Sequence, residues 1–165
     1  MTVIDALAWV VALVLVASGT VKLLDSSASV ATLRGIGFGS LARPIGTVSG
    51  VVEVVAGLGL LILGGRVPAV VVMLLYLSFA MVVVAARRAD LATCGCFGAR
   101  SGRPGVRLIA LDLVAAAVAA VASFGDRGPV AVADGLETLS PVGVIVVVAA
   151  VMAGAVAVIA LDTVG

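Results

Sequence analysis

Five long apolar runs constrain this chain more than any other feature. They cover Ala6 to about Leu24, Ile45–Leu63, Val67–Ala86, Val106–Phe124 and Val142–Leu161. Each is about 19–20 residues long, close to what an α-helix needs to cross a hydrocarbon core of about 30 Å. Apolar residues occupy every face of the runs and do not alternate, so barrel strands are excluded. A backbone in lipid has to satisfy its own polar groups, which leaves helices as the reading. The first run opens Met1-Thr2-Val3-Ile4-Asp5, without the basic segment of a signal peptide. It also exceeds the usual apolar stretch of about 7–15 residues, so it is expected to stay as a span. The expected fold is all-α, a polytopic integral membrane protein with residues 1–165 in a single membrane domain.

Composition narrows the function. The chain is 63% hydrophobic and 12% charged, with a mean hydropathy of +1.36. A soluble domain holds about 45–50% apolar and about 25% charged residues, so a soluble enzyme is excluded and membrane lipid is the expected surrounding. A net charge of +1 and an aromatic content of 4% leave no basic or stacking surface for nucleic acid. Histidine is absent. That removes His-ligated haem and zinc, the Ser-His-Asp triad and a histidine base. Any chemistry falls to Cys, Asp, Glu, Lys, Ser, Thr or Tyr.

The connections differ in character. Asp25–Pro44 carries Val30, Leu33, Phe38 and Leu41 among small and polar residues, the pattern of a short amphipathic segment at the membrane interface. Gly64–Arg66 is a minimal turn, Arg87–Gly105 is polar and rich in Gly and Arg, and Gly125–Pro141 is an acidic link. Gly46, Gly50, Gly57 and Gly59 in the second run suit close helix packing. No phosphate-binding glycine pattern follows a strand.

The only two cysteines stand in Ala92-Thr93-Cys94-Gly95-Cys96-Phe97-Gly98, on the connection after the third run. Gly95 frees the backbone to bring the sulfurs together. A disulfide across one residue closes almost no loop, so it adds little as a staple; a constrained ring of this kind is labile and suits exchange. Three readings stay open on spacing alone. The pair performs reversible dithiol–disulfide exchange, binds a soft metal such as Cu(I) on two thiolates, or is inert. Zinc fits worst, since no second pair completes a tetrahedral site.

Ionisable residues inside the runs gather in the membrane half toward the cysteines. Lys22 closes the first run, with Ser18 and Thr20 about a turn deeper. Glu53 is expected about 12 Å into the second run and Asp112 about 9 Å into the fourth. Charge in a span is costly and usually faces a bundle interior or a wet cavity. In the plain structural reading, Lys22 snorkels, Glu53 pairs with it or with a backbone donor, and Asp112 begins a helix. In the functional reading the three line a polar pocket that handles protons or holds a quinone headgroup.

At these residues the chain resembles the MauE family of methylamine utilisation, within the DoxX-like group. The likeness lies in Ser18-Gly19-Thr20-Val21-Lys22-Leu23, in Glu53 followed by Gly57, and in Cys94-Gly95-Cys96-Phe97-Gly98. It covers about residues 6–124, so the fifth run adds a helix to a four-helix DoxX/MauE-like bundle. The resemblance implies a redox role beside a thioredoxin-like or other thiol protein, with Cys94 and Cys96 as the redox pair and Lys22 and Glu53 nearby. Together these readings give a membrane thiol–disulfide redox protein, with Cys94, Cys96, Glu53, Lys22 and Asp112 as its site. It relays electrons between a thiol and a membrane acceptor such as quinone. The alternatives are an accessory subunit of a larger membrane complex and a soft-metal carrier. The expected location is a bacterial plasma membrane. Arg34, Arg43, Arg87, Arg88, Arg100 and Arg103 crowd the cysteine side against Arg66 and Arg127 opposite. The positive-inside rule thus places the loop in the cytoplasm, whereas the resemblance places it outside.

Overall fold

The computed structural model describes residues 2–92, 105–125 and 128–137. Among these residues six α-helices follow one another: α1 (Val3–Leu24), α2 (Ser27–Gly35), α3 (Ala42–Leu63), α4 (Arg66–Arg88), α5 (Val106–Phe124) and α6 (Val132–Glu137), with a 3-10 turn at Gly39–Leu41 before α3. Among the described residues there are no strands. Four helices among the described residues, α1, α3, α4 and α5, are long and apolar enough to cross a membrane. The protein is an all-α polytopic membrane protein. The fifth run, Val142–Leu161, lies outside the described residues.

Of the four long helices, α1 begins with a side-chain cap and α3, α4 and α5 begin without one. Thr2 caps α1 through a capping box, its hydroxyl accepting from the Asp5 N–H at 3.3 Å while Asp5 Oδ2 accepts from the Thr2 N–H. The second span starts earlier than its apolar run, because Ala42, Arg43 and Pro44 form the first turn of α3. Proline is tolerated there, where its missing N–H would lack an intrahelical partner. Similarly α1 takes in Val3–Asp5, and α4 runs from Arg66 to Arg88. The fourth run and α5 coincide.

The helices run antiparallel. α1 packs chiefly on α3 and α4 on α5, and the two pairs close through α3–α4 and α1–α5 contacts. Their core is built largely from small side chains, including Ala8, Ala12, Ala56, Ala69, Ala116 and Ala119, with Leu15, Leu60 and Val72 filling between them. Small residues permit the close backbone approach on which helix association in lipid depends. A Cβ on Gly57 would lie 2.7 Å from the Ala12 carbonyl oxygen, and one on Gly19 would lie 2.7 Å from that of Gly50. Gly46 and Gly50 also face neighbours, whereas Gly59 meets nothing within 4 Å among the described residues.

The two ends of the bundle differ. At one end, α2 turns Val30 and Leu33 onto Ala42 of α3, with Ile36 and Ile45 alongside, while Phe38 and Leu41 are exposed. The amphipathic pattern of this link is therefore a helix seated on the start of α3. At the other end, residues 128–137 fold over the bundle, contrary to their reading as a plain link. Trp9 Nε1 donates to the Val130 carbonyl at 2.9 Å, Asp5 Oδ1 accepts from the Val130 N–H at 3.3 Å, and the Gly65 N–H donates to the Pro129 carbonyl at 2.7 Å. Gly64, at φ 60°, is pressed so closely by residues 129–131 that a Cβ would lie 2.6 Å from the Pro129 oxygen.

Candidate functional site: a buried ion pair inside the bundle

Between α1, α3 and α4 lies a polar cluster in an otherwise apolar interior. Glu53 is fully buried and Lys22 is 5% exposed. Lys22 Nζ donates to Glu53 Oε1 at 2.5 Å, and the Ser18 hydroxyl donates to Oε2 at 2.9 Å. Each carboxylate oxygen thus has a donor. Lys22 and Ser18 are four residues apart, so one face of α1 presents both to the same acceptor. Gly19 between them lets α3 approach: its Cβ would lie 2.8 Å from that of Glu53. The lysine head also sits 4.5 Å from the centre of the Phe79 ring on α4. An aromatic face attracts a cation, more so when both are out of water.

The cluster extends through α4 toward α5. Phe79 meets Tyr76 edge to face, with ring centres 5.9 Å apart and planes at 76°. The Tyr76 hydroxyl donates to the Val11 carbonyl at 2.8 Å. Tyr76 lies within electrostatic range of both Glu53 and Asp112, so α5 contributes Asp112 to the same polar interior. Asp112 is buried in the second turn of α5; it does not begin that helix. Thr20 stays out of the cluster, its exposed hydroxyl turned back to the Val16 carbonyl at 2.7 Å.

The structure therefore brings together Lys22, Glu53 and Ser18, with Asp112 nearby. Lys22 pairs inward with Glu53 instead of snorkelling. Glu53 lies about 16 Å along α3, deeper than its apolar run indicates, because α3 begins three residues earlier, at Ala42 and not at Ile45. Cys94 and Cys96 lie outside the described residues. The segment that carries them joins Ala92, after α4, to Gly105, before α5, and those helix ends share the end of the bundle where α2 sits. Sequence reasoning missed Tyr76 and Phe79. One signal was available, since a lone tyrosine in an apolar span has a hydroxyl that must find a partner.

Chemically, the cluster is a compensated charge pair held in a low-dielectric setting. It fixes the rotation of α1 against α3 and keeps a carboxylate, an ammonium and a phenol within one interior. A family model described as methylamine utilisation protein MauE matches residues 1–125. Neither the curated proteins nor the solved structures give a match to this chain.

Proposed function

The chain belongs to the MauE family of membrane proteins, and from that premise we propose that it is a thiol–disulfide redox protein working through Cys94 and Cys96. The observation that carries this reading is the spacing of its only two cysteines, one residue apart on the connection between α4 and α5. In the oxidised state the pair forms a disulfide. A thiol protein of thioredoxin-like kind, or a small dithiol, attacks it and leaves as a disulfide, while Cys94 and Cys96 take up two electrons and two protons. A membrane quinone then accepts both electrons and both protons, becomes the hydroquinone, and restores the disulfide. Arg87 and Arg88, exposed at the end of α4, favour the thiolate that exchange requires. In this reading Lys22, Glu53 and Asp112 form the charged interior beneath the pair. The family's description ties the activity to methylamine utilisation, where the thiol partner is to be sought.

The test is mass spectrometry of the oxidised protein before and after reduction. A peptide spanning 94–96 should gain two hydrogens, and Cys94→Ser or Cys96→Ser should each abolish quinone-linked thiol oxidation while the protein still inserts. Full activity of the double serine variant would remove the redox reading in favour of an accessory subunit. Copper retained by the purified protein through both cysteines would favour a soft-metal carrier.

A further inference from the structure

A second site lies at the α2 end of the bundle, apart from the buried ion pair. A cavity of about 520 Å³ opens there between the end of α1, α2 and the start of α3. Its polar lining comes from Arg34, Arg43, Asp25, Ser26 and Ser27, and its apolar lining from Leu23, Leu24 and Val30. The two arginines reach it from different helices, and both are exposed. Among the described residues neither forms an ion pair. The one acid in the lining, Asp25, is turned to its neighbour Ser27, its Oδ1 accepting from the Ser27 N–H at 2.9 Å at the start of α2. With two guanidinium groups against one carboxylate, the lining carries a net positive charge, and among the described residues both guanidinium groups are without an acidic partner.

We propose that this cavity binds the phosphate of an anionic phospholipid, held between Arg34 and Arg43. Position selects a lipid as the source. The cavity sits where α1 and α3 end, at the depth of the headgroups if these helices span the bilayer. Its apolar wall continues onto the lipid-facing side of α1, where Leu24 is 83% exposed and Val21 and Leu23 are exposed too. A headgroup in the cavity would leave its acyl chains along that wall. Arginine matches phosphate with paired N–H donors, and Ser26 supplies a further hydroxyl. Arg87, Arg88 and Arg107 lie at the same end of the bundle, so its wider field also favours an anionic leaflet.

The test is native mass spectrometry of the full chain in detergent, titrated with phosphatidylglycerol, phosphatidylcholine or inorganic phosphate. One phosphatidylglycerol should bind in preference to phosphatidylcholine. Arg34→Gln with Arg43→Gln should weaken it about 30-fold, the size expected for two basic groups at an anionic headgroup. Arg107→Gln, a charge loss at the same end but outside the cavity, should change binding little, and melting without lipid checks that each variant is folded. Equal affinity for the two lipids, or an equal loss in the Arg107 variant, would overturn the proposal. Displacement of the lipid by millimolar inorganic phosphate would reassign the cavity to a free anion and overturn it as well.

Discussion

Lys22 and Glu53 show how one pair of side chains can decide helix rotation. A buried ion pair contributes little net stability against a well-packed apolar pair, but loss of one partner strands the other charge. Lys22→Met or Glu53→Leu alone should therefore cost about 3–5 kcal/mol, and the double variant far less than their sum. Unfolding of the three variants in detergent measures this; additive losses would show two independent groups. Asp25 behaves differently because it is fully exposed. The Ser27 hydroxyl and N–H hold its carboxyl below its ordinary value of 3.8. A depressed carboxyl stabilises the fold above its unfolded value, and that contribution is lost as pH falls through the lower folded one. The Asp25–Ser27 contact at the start of α2 should thus persist at neutral pH and be lost in acid, while the apolar contacts of Val30 and Leu33 remain. Carbon-13 titration of Asp25 should give a midpoint below 3.8, and a midpoint at or above it would show that Ser27 does not hold the carboxylate.

At the scale of the elements, the α1–α3 contact depends on glycines at two heights. Gly19 and Gly57 each leave no room for a methyl group against the facing helix, where the nearest atoms include backbone oxygens. Gly19→Ala and Gly57→Ala should each destabilise by about 1–3 kcal/mol through overpacking. Gly59 lies on the same helix, and among the described residues nothing stands within 4 Å of where its Cβ would be. Gly59→Ala should be neutral or stabilising by up to about 1 kcal/mol, because alanine improves helix propensity without a clash. Detergent melting of the three variants separates packing from propensity. The glycines of α3 were all legible in the sequence as packing candidates, yet only the facing helix distinguishes Gly57 from Gly59. Composition records the small residue; the rotation of the helix determines what it meets.

For the whole molecule, the bundle does not end with α5. Residues 128–137 cover Trp9 and Asp5 and press on the Gly64–Gly65 turn, and Arg66 donates to the Gly125 carbonyl at 3.0 Å. A Cβ on Gly135 would collide with the Trp9 ring, so α6 lies against that side chain. A chain ending at Phe124 would uncover the buried Trp9 ring and leave its indole N–H and Asp5 without their Val130 partners. It should melt well below a chain ending at Glu137, by about 2–4 kcal/mol for the lost hydrogen bonds and indole burial. Equal stability of the two chains would show that the cap only rests on the bundle. This segment was read from sequence as an acidic link. Its sequence suggests nothing more, because the contacts that seat it join its own backbone groups to an aspartate and a tryptophan distant in the chain.

The four described spans were determined by sequence alone to within a few residues. Crossing a membrane requires only a long enough apolar run that satisfies its own backbone, and both properties are local. The expectation that Lys22, Glu53 and Asp112 share one interior was also available, since charge in a span has few affordable places. Tertiary structure alone decided the rest. That Ser18 takes the second oxygen of Glu53, that Phe79 underlies Lys22, and that Asp5 and Trp9 hold Val130 all depend on the register and rotation of helices distant in the chain. Those are set by packing of small residues across interfaces, a property of pairs of helices that no single segment carries.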